Sequence, residues 1–223
     1  MGLFLANEVK SLYVGDKEVV EVYLGSEKIW SRGYEWIDLG LPSGLLWAST
    51  NVGAEKSEDF GLYFAWGETQ GYEDVTIDKQ FTWDDYKFGT EDNLTKYNDT
   101  DGLTILELED DVTYQSDNSC RMPTKADFEE LTANTTSTWE TLNGVNGRRF
   151  TSTNGNSIFV PAAGCCYDGS VLSVGSYGLL WSSSLNERSS RNVWVLCFNS
   201  DGVGMLDMGR CNGYTVRAVK SIN

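Results

Sequence analysis

Histidine is absent from this 223-residue chain, so its chemistry rests on five cysteines, 33 carboxylates and 11 tyrosine phenols. Without imidazole there is no Ser-His or Cys-His catalytic pair and no His-ligated metal. The cysteines are Cys120, Cys165, Cys166, Cys197 and Cys211. Their number is odd and no Cys-x-x-Cys pair occurs, so they read neither as a disulfide framework nor as a zinc site. Vicinal Cys165-Cys166 invites a redox reading, but adjacent cysteines are sterically poor disulfide partners, and structural or incidental thiols are favoured. Glu107, Glu109, Asp110 and Asp111 offer the hard oxygen ligands that Ca²⁺ takes. Their place at the start of a helical pattern suits a solvated acidic turn better. No two acids stand out as a glycosidase pair. The expectation is a protein that binds rather than catalyses, with no cofactor and no metal.

The composition then says what must position the binding residues. Apolar residues make up 40% of the chain and aromatics 13%, too many for a disordered polypeptide. With 23 Gly and only 3 Pro, many short strands and tight turns are expected rather than long helices. The net charge of −16 and a pI near 4.3 argue against nucleic acid and anionic membranes as partners. No apolar run reaches the roughly 18 residues of a membrane span, so no membrane insertion is expected. The start of the sequence shows no signal peptide, which implies synthesis and folding in a cytoplasm. Charge is unevenly spread. Residues 1–140 hold ten basic and 29 acidic side chains, whereas residues 141–223 hold seven and four. The near-neutral final third is rich in Gly, Ser, Asn and aromatics. That composition suits either an adaptable contact surface or a β-rich core with loops.

Two modules are expected. Residues 1–33 contain a short repeat, Leu12-Tyr-Val-Gly-Asp-Lys-Glu-Val19 echoed by Val22-Tyr-Leu-Gly-Ser-Glu-Lys-Ile29. Each copy reads as a hairpin around Gly-Asp or Gly-Ser. Two such hairpins cannot bury a core alone and must dock on something larger. The main domain, 34–223, begins with strands at 34–39 and 44–48 around the turn Leu41-Pro-Ser-Gly44, and an aromatic strand at 61–66. A long ordered loop over 67–102 follows, then a short helix opening near Leu106. A second helix over 124–131 has Thr124 as N-cap and Asp127 three residues on. After residue 145 the pattern is all β, at 147–153, 157–161, 178–182, 193–198, 202–205 and 214–219. The fold class is α+β, β-rich with few short helices and long ordered loops.

Six ordered motifs carry a resemblance. They are Trp36-Ile-Asp-Leu-Gly-Leu-Pro-Ser-Gly-Leu-Leu-Trp47, Tyr63-Phe-Ala-Trp-Gly-Glu68, Cys120-Arg-Met-Pro-Thr-Lys125, Asn156-Ser-Ile-Phe-Val-Pro-Ala-Ala-Gly164, Trp181-Ser-Ser-Ser184 and Asn212-Gly-Tyr-Thr-Val-Arg-Ala-Val219. Together they resemble the variable proteins of diversity-generating retroelements from gut bacteria and their phages. Those proteins have the C-type lectin fold in its formylglycine-generating-enzyme-like version. The hairpin repeat looks like modules of phage tail proteins. The calcium and sugar motifs of true C-type lectins, Glu-Pro-Asn, Gln-Pro-Asp and Trp-Asn-Asp, do not occur.

The resemblance implies a segment, 185–211, rewritten at adenines of AAC codons and displayed as a recognition surface. Its reachable, ligand-contacting positions would be Leu185, Asn186, Arg188, Ser189, Ser190, Arg191, Val195, Cys197, Gly202, Gly204, Leu206, Asp207, Gly209 and Cys211. Trp181, Trp194, Leu196, Phe198, Val203, Met205, Arg210, Tyr214 and Arg217 would be fixed frame. Glu187 and Met208 are unreachable from AAC. In 193–198 the strand period puts Trp194, Leu196 and Phe198 on one face and Val193, Val195 and Cys197 on the other. The second face is either buried, giving a two-sided core strand, or an exposed apolar patch. Residues 202–213 mix Gly, Asp and apolar side chains without regular periodicity and read as a binding loop. The implied partner is a protein or glycan on a bacterial surface. The hairpins would attach the domain to a phage tail or other assembly, placing it on a virion tail or a cell surface. A non-diversified surface or fimbrial adhesin, and a formylglycine-generating-enzyme-like enzyme, are the alternatives.

Overall fold

A computed structural model of the chain describes residues 33–222 throughout and, before them, the backbone of four short strands. The chain divides into two compact units, Met1–Glu35 and Trp36–Asn223. In the first, β1 (Leu12–Val14) pairs antiparallel with β2 (Lys17–Val19), and β3 (Glu21–Leu24) with β4 (Glu27–Ser31). The Gly-Asp and Gly-Ser turns expected between them lie outside the described residues.

The second unit opens with β5 (Trp36–Asp38) and β6 (Leu45–Ala48). The turn between them closes where Gly44 N donates to Leu41 O at 2.9 Å. The expected strand over 61–66 is not continuous. Positive-φ Gly61 and Gly67 bound it, and between them the backbone bonds piecemeal to Tyr72, Tyr214 and Arg210. Tyr63, Phe64, Ala65 and Trp66 are nonetheless fully packed. The long segment that follows holds only a 3₁₀ turn at Trp83–Asp85 and a minimal hairpin of β7 (Gly89–Thr90) and β8 (Asn93–Leu94). A further 3₁₀ turn, Leu108–Asp110, leads into α1 (Val112–Ser116), whose cap Asp111 accepts from Thr113 N at 2.9 Å.

Helix α2 (Lys125–Asn134) starts at a reciprocal capping box, with Thr124 Oγ1 accepting from Asp127 N and Asp127 Oδ2 from Thr124 N. Its single apolar stripe is Phe128 and Leu131, both 0% exposed. The helix passes directly into β9 (Thr135–Leu142), where Thr-Thr-Ser-Thr favours extended backbone over helix. Strands β9, β10 (Val145–Ser152) and β11 (Ser157–Pro161) form one antiparallel sheet with β10 central. A second hairpin, β12 (Cys165–Tyr167) with β13 (Ser170–Leu172), follows. Neither β9 nor this hairpin is among the strands expected from the sequence.

Strands β14 (Gly178–Leu185), β15 (Asn192–Phe198) and β16 (Val203–Gly209) form the other main sheet, in that order. The segment read as a loop after residue 202 is thus mostly strand. Finally β17 (Val219–Ser221) pairs with β6, so the last strand expected over 214–219 lies further along the chain. The core gathers Leu39, Trp47, Phe128, Leu131, Phe150, Ile158, Leu180, Leu196, Phe198 and Val219 between the two main sheets and α2. Each such side chain contributes about 1.5–3 kcal/mol on burial.

Candidate functional site

The β14–β15–β16 sheet carries the segment singled out by sequence, and alternation decides what it shows to solvent. Leu196 and Phe198 face the core, with Met205 and Val203 beside them. On the other face Val193 and Val195 are both 0% exposed, and only Cys197 is half-buried. Strand β15 is therefore a two-sided core strand along most of its length. The reason lies behind it: Val195 stands opposite Trp181 on β14. The Trp181 indole is itself buried, packed at a tilt against the Tyr214 ring with centroids 4.4 Å apart and donating to Phe64 O at 2.7 Å.

The fourteen expected contact residues divide accordingly. Arg188, Arg191, Gly204, Leu206 and Asp207 are exposed, and Ser189, Ser190, Cys197, Gly202 and Gly209 are half-buried. Leu185, Val195 and Cys211 are buried, which corrects their assignment as contact residues; Asn186 is buried too, yet it lines the pocket described next. Leu185 ends β14 with its N–H on Thr104 O. Asn186 folds the following loop, its Oδ1 accepting from Arg188 N at 2.7 Å. Cys211 sits in the turn after β16, where Asn212 N donates to Gly209 O.

The loop after β14 and the ends of β15, β16 and α2 enclose a concave pocket of about 370 Å³. It is lined by Lys125, Asn186, Glu187, Arg188, Ser189, Trp194 and Asp207. Trp194 is its organising side chain. The Lys125 ammonium lies 4.0 Å from the indole centroid, a cation–π contact, while Trp194 Nε1 donates to Glu187 Oε2 at 3.2 Å. Glu187 is held below the usual carboxylate range, first by its own backbone N–H and then by that indole bond, with Lys125 and Arg188 adding to it. Asp207 Oδ2 accepts from Asn192 Nδ2 at 2.7 Å. The pocket thus offers two carboxylates, two cations, an amide, a hydroxyl and an aromatic edge, a set suited to orienting a polar ligand.

Sequence reasoning placed Trp194 in the frame and did not consider Lys125 as a contact. The signal for Lys125 was its place at the first turn of a capped helix; its proximity to residue 194 is a tertiary fact. The frame assignments of Trp181, Leu196, Phe198, Arg210, Tyr214 and Arg217 coincide with buried positions. Arg210 follows β16 and ties the segment 185–211 to the rest of the unit. Its guanidinium donates to Tyr86 Oη, Tyr97 O, Ser190 O and Lys96 O at 2.7–3.0 Å.

The chemistry considered for other groups can be placed too. Burial pushes every cysteine thiol up, with Cys120, Cys166 and Cys211 reaching about 12. Such thiols carry little thiolate at neutral pH and are poor nucleophiles. The carboxylates of Glu107, Glu109 and Asp110 converge closely enough to hold a cation. The Lys96 ammonium already takes that position, 2.6–2.7 Å from all three. Comparison of the chain with protein-family models, curated proteins and solved structures finds no match.

Proposed function

We propose that this protein is a ligand-binding display protein with a C-type-lectin-like domain, related to the variable proteins of diversity-generating retroelements. Its recognition surface is the pocket around Trp194 together with the exposed part of β16. The observation that carries the reading is that six of the seven pocket-lining residues come from the segment 185–211 marked out by sequence alone. Support for the fold comes from the six motifs of the resemblance, each of which supplies buried residues to the second unit, from Trp47 through Tyr63, Met122, Phe159 and Trp181 to Val216. Mechanism is surface complementarity: rigid neighbours hold Trp194, while Arg188, Ser189, Arg191, Gly204, Leu206 and Asp207 are free to differ. The target is a protein or glycan of a bacterial surface. The N-terminal strands attach the domain to a phage tail or comparable assembly.

Fluorescently labelled protein titrated onto intact gut-bacterial cells tests the binding. Trp194→Ala and Asp207→Ala should each weaken binding at least tenfold, or about 1.4 kcal/mol, with the fold intact. Equal binding by both variants would remove the pocket from the reading. Diversification is tested separately by comparing independent isolates of the gene. Identical residues at 188–191 and 202–209 in all of them would leave a fixed adhesin instead.

A further inference from the structure

The recognition reading uses the side chains of β16 and leaves its backbone edge unexplained. Two main-chain bonds bracket the strand pair, Asn199 N to Gly202 O at 3.0 Å and Arg210 N to Arg191 O at 3.1 Å. With the continuous register between β15 and β16, they fix the alternation. Gly204, Leu206 and Met208 exchange hydrogen bonds with β15. Val203, Met205 and Asp207 turn their N–H and C=O groups the other way. No described residue donates to or accepts from those groups.

The opposite edge of the same sheet is closed. Along β14, main-chain bonds to Thr215, Pro123, Thr104 and Leu106 cover the strand, and all eight of its residues are buried. Edge strands are normally protected by proline, lysine or a bulge. The sequence Val203-Gly-Met-Leu-Asp-Met-Gly209 has no proline, no lysine and no register shift.

We propose that β16 accepts an extended, basic peptide segment of a partner protein as a fourth strand of the sheet. Only extended main chain satisfies a row of alternating donors and acceptors. Charge selects its side chains. Exposed Asp201 and Asp207 stand at the two ends of the edge. Beside Asp207 the pocket adds the carboxylate of Glu187 and two cations, exposed Arg188 and Lys125, the latter engaged with Trp194 and Glu129, so acids outnumber cations along the edge. A second copy of this chain would bring another net −16 to the same edge, which opposes self-pairing. On the outer face, Gly204 leaves open space beside the exposed Leu206, a place for an apolar side chain of the incoming strand. The inference rests on the open edge and stands whether or not the segment is diversified or the Trp194 pocket is used.

The test uses the whole protein and capped heptapeptides. One alternates Val and Lys, a second alternates Val and Glu, and a third is the Val/Lys peptide N-methylated at every residue, so that neither of its edges can donate. The Val/Lys peptide should bind and slow hydrogen exchange at the Val203, Met205 and Asp207 amides. The Val/Glu and N-methylated peptides should each bind about tenfold more weakly, the scale of a lost charge contact or hydrogen bond. Asp207→Asn should weaken Val/Lys binding while leaving the same amides protected by the peptide. Equal binding of the N-methylated peptide, or no binding at millimolar concentration, overturns the proposal. So does sedimentation as a dimer with the three amides already protected in the absence of peptide, which would assign the edge to a second copy.

Discussion

A guanidinium with no exposed surface needs an acceptor for its donors, and Arg210 meets that need without a contacting carboxylate among the described residues. Three backbone carbonyls and the Tyr86 hydroxyl accept from it, and the rings of Trp66, Tyr86, Phe88 and Tyr97 lie 5.0–5.6 Å from its centre. Arg210→Lys keeps the charge but loses the planar fork. It should lower unfolding free energy by about 3 kcal/mol or more, read from the urea midpoint at unchanged slope. Trp194→Ala removes a half-buried side chain at the pocket and should cost less than Arg210→Lys in the same assay. At this scale the sequence separated frame from surface only in part. Codon reachability says which side chains a position can hold, and nothing about burial, so Val195 and Cys211 passed that filter and still belong to the interior. Trp194 failed the filter and yet lines the pocket, because a frame residue can also be a contact.

Glycines within the β14–β16 sheet show how much one element tolerates. A Cβ on Gly178 would collide with the Phe198 ring, whereas one on Gly204 meets nothing. Gly178→Ala should therefore destabilise by about 1–3 kcal/mol through overpacking, and Gly204→Ala by no more than about 0.5 kcal/mol, both measured by thermal or chemical unfolding. Helix α2 was legible because its capping box and apolar stripe are local. Strands β9 and β10 were signalled by the Asn143-Gly144 turn, and β12 and β13 by Asp168-Gly169, with both residues of each pair at positive φ. Those signals stand out little because β9 alternates Thr, Ser and Glu rather than large apolar residues. For β16 the pattern signals a strand only over 202–205, short of its observed end at Gly209, for the opposite reason. One of its faces is partly open to solvent, so its apolar residues do not alternate cleanly with polar ones.

For the molecule as a whole, the acidic excess has two opposed effects that pH separates. Asp110 is held below the usual carboxylate range: burial pushes it up, but hydrogen bonds from Lys87, Lys96 and Tyr97 outweigh that. Asp127 is likewise lowered against its burial, by Arg121 and the Thr124 cap. Groups with depressed folded-state values stabilise above the unfolded value near 4, and that stability is lost as pH falls through the folded value. Self-repulsion acts in the other direction, because protonating exposed acids relieves the −16. Unfolding temperature should rise modestly from pH 7 to about pH 5 and fall steeply below about pH 4. Added salt should raise it at pH 7. The overall charge and the β-rich character were readable from composition. The placement of Lys96 among three carboxylates was not, because it joins residues distant in sequence across an irregular segment.

The pairing of β17 with β6 joins Val219 to Trp47, strands made at opposite ends of the domain's synthesis. Strand β6 pairs early with β5 along one edge, Ile37 opposite Trp47, and the partner of its other edge arrives only after the whole of 185–211 has been translated. A chain stopped within that segment leaves one edge of β6 open. The sheet that holds Trp47 is therefore completed only in molecules that carry the whole of 185–211, whatever side chains it holds.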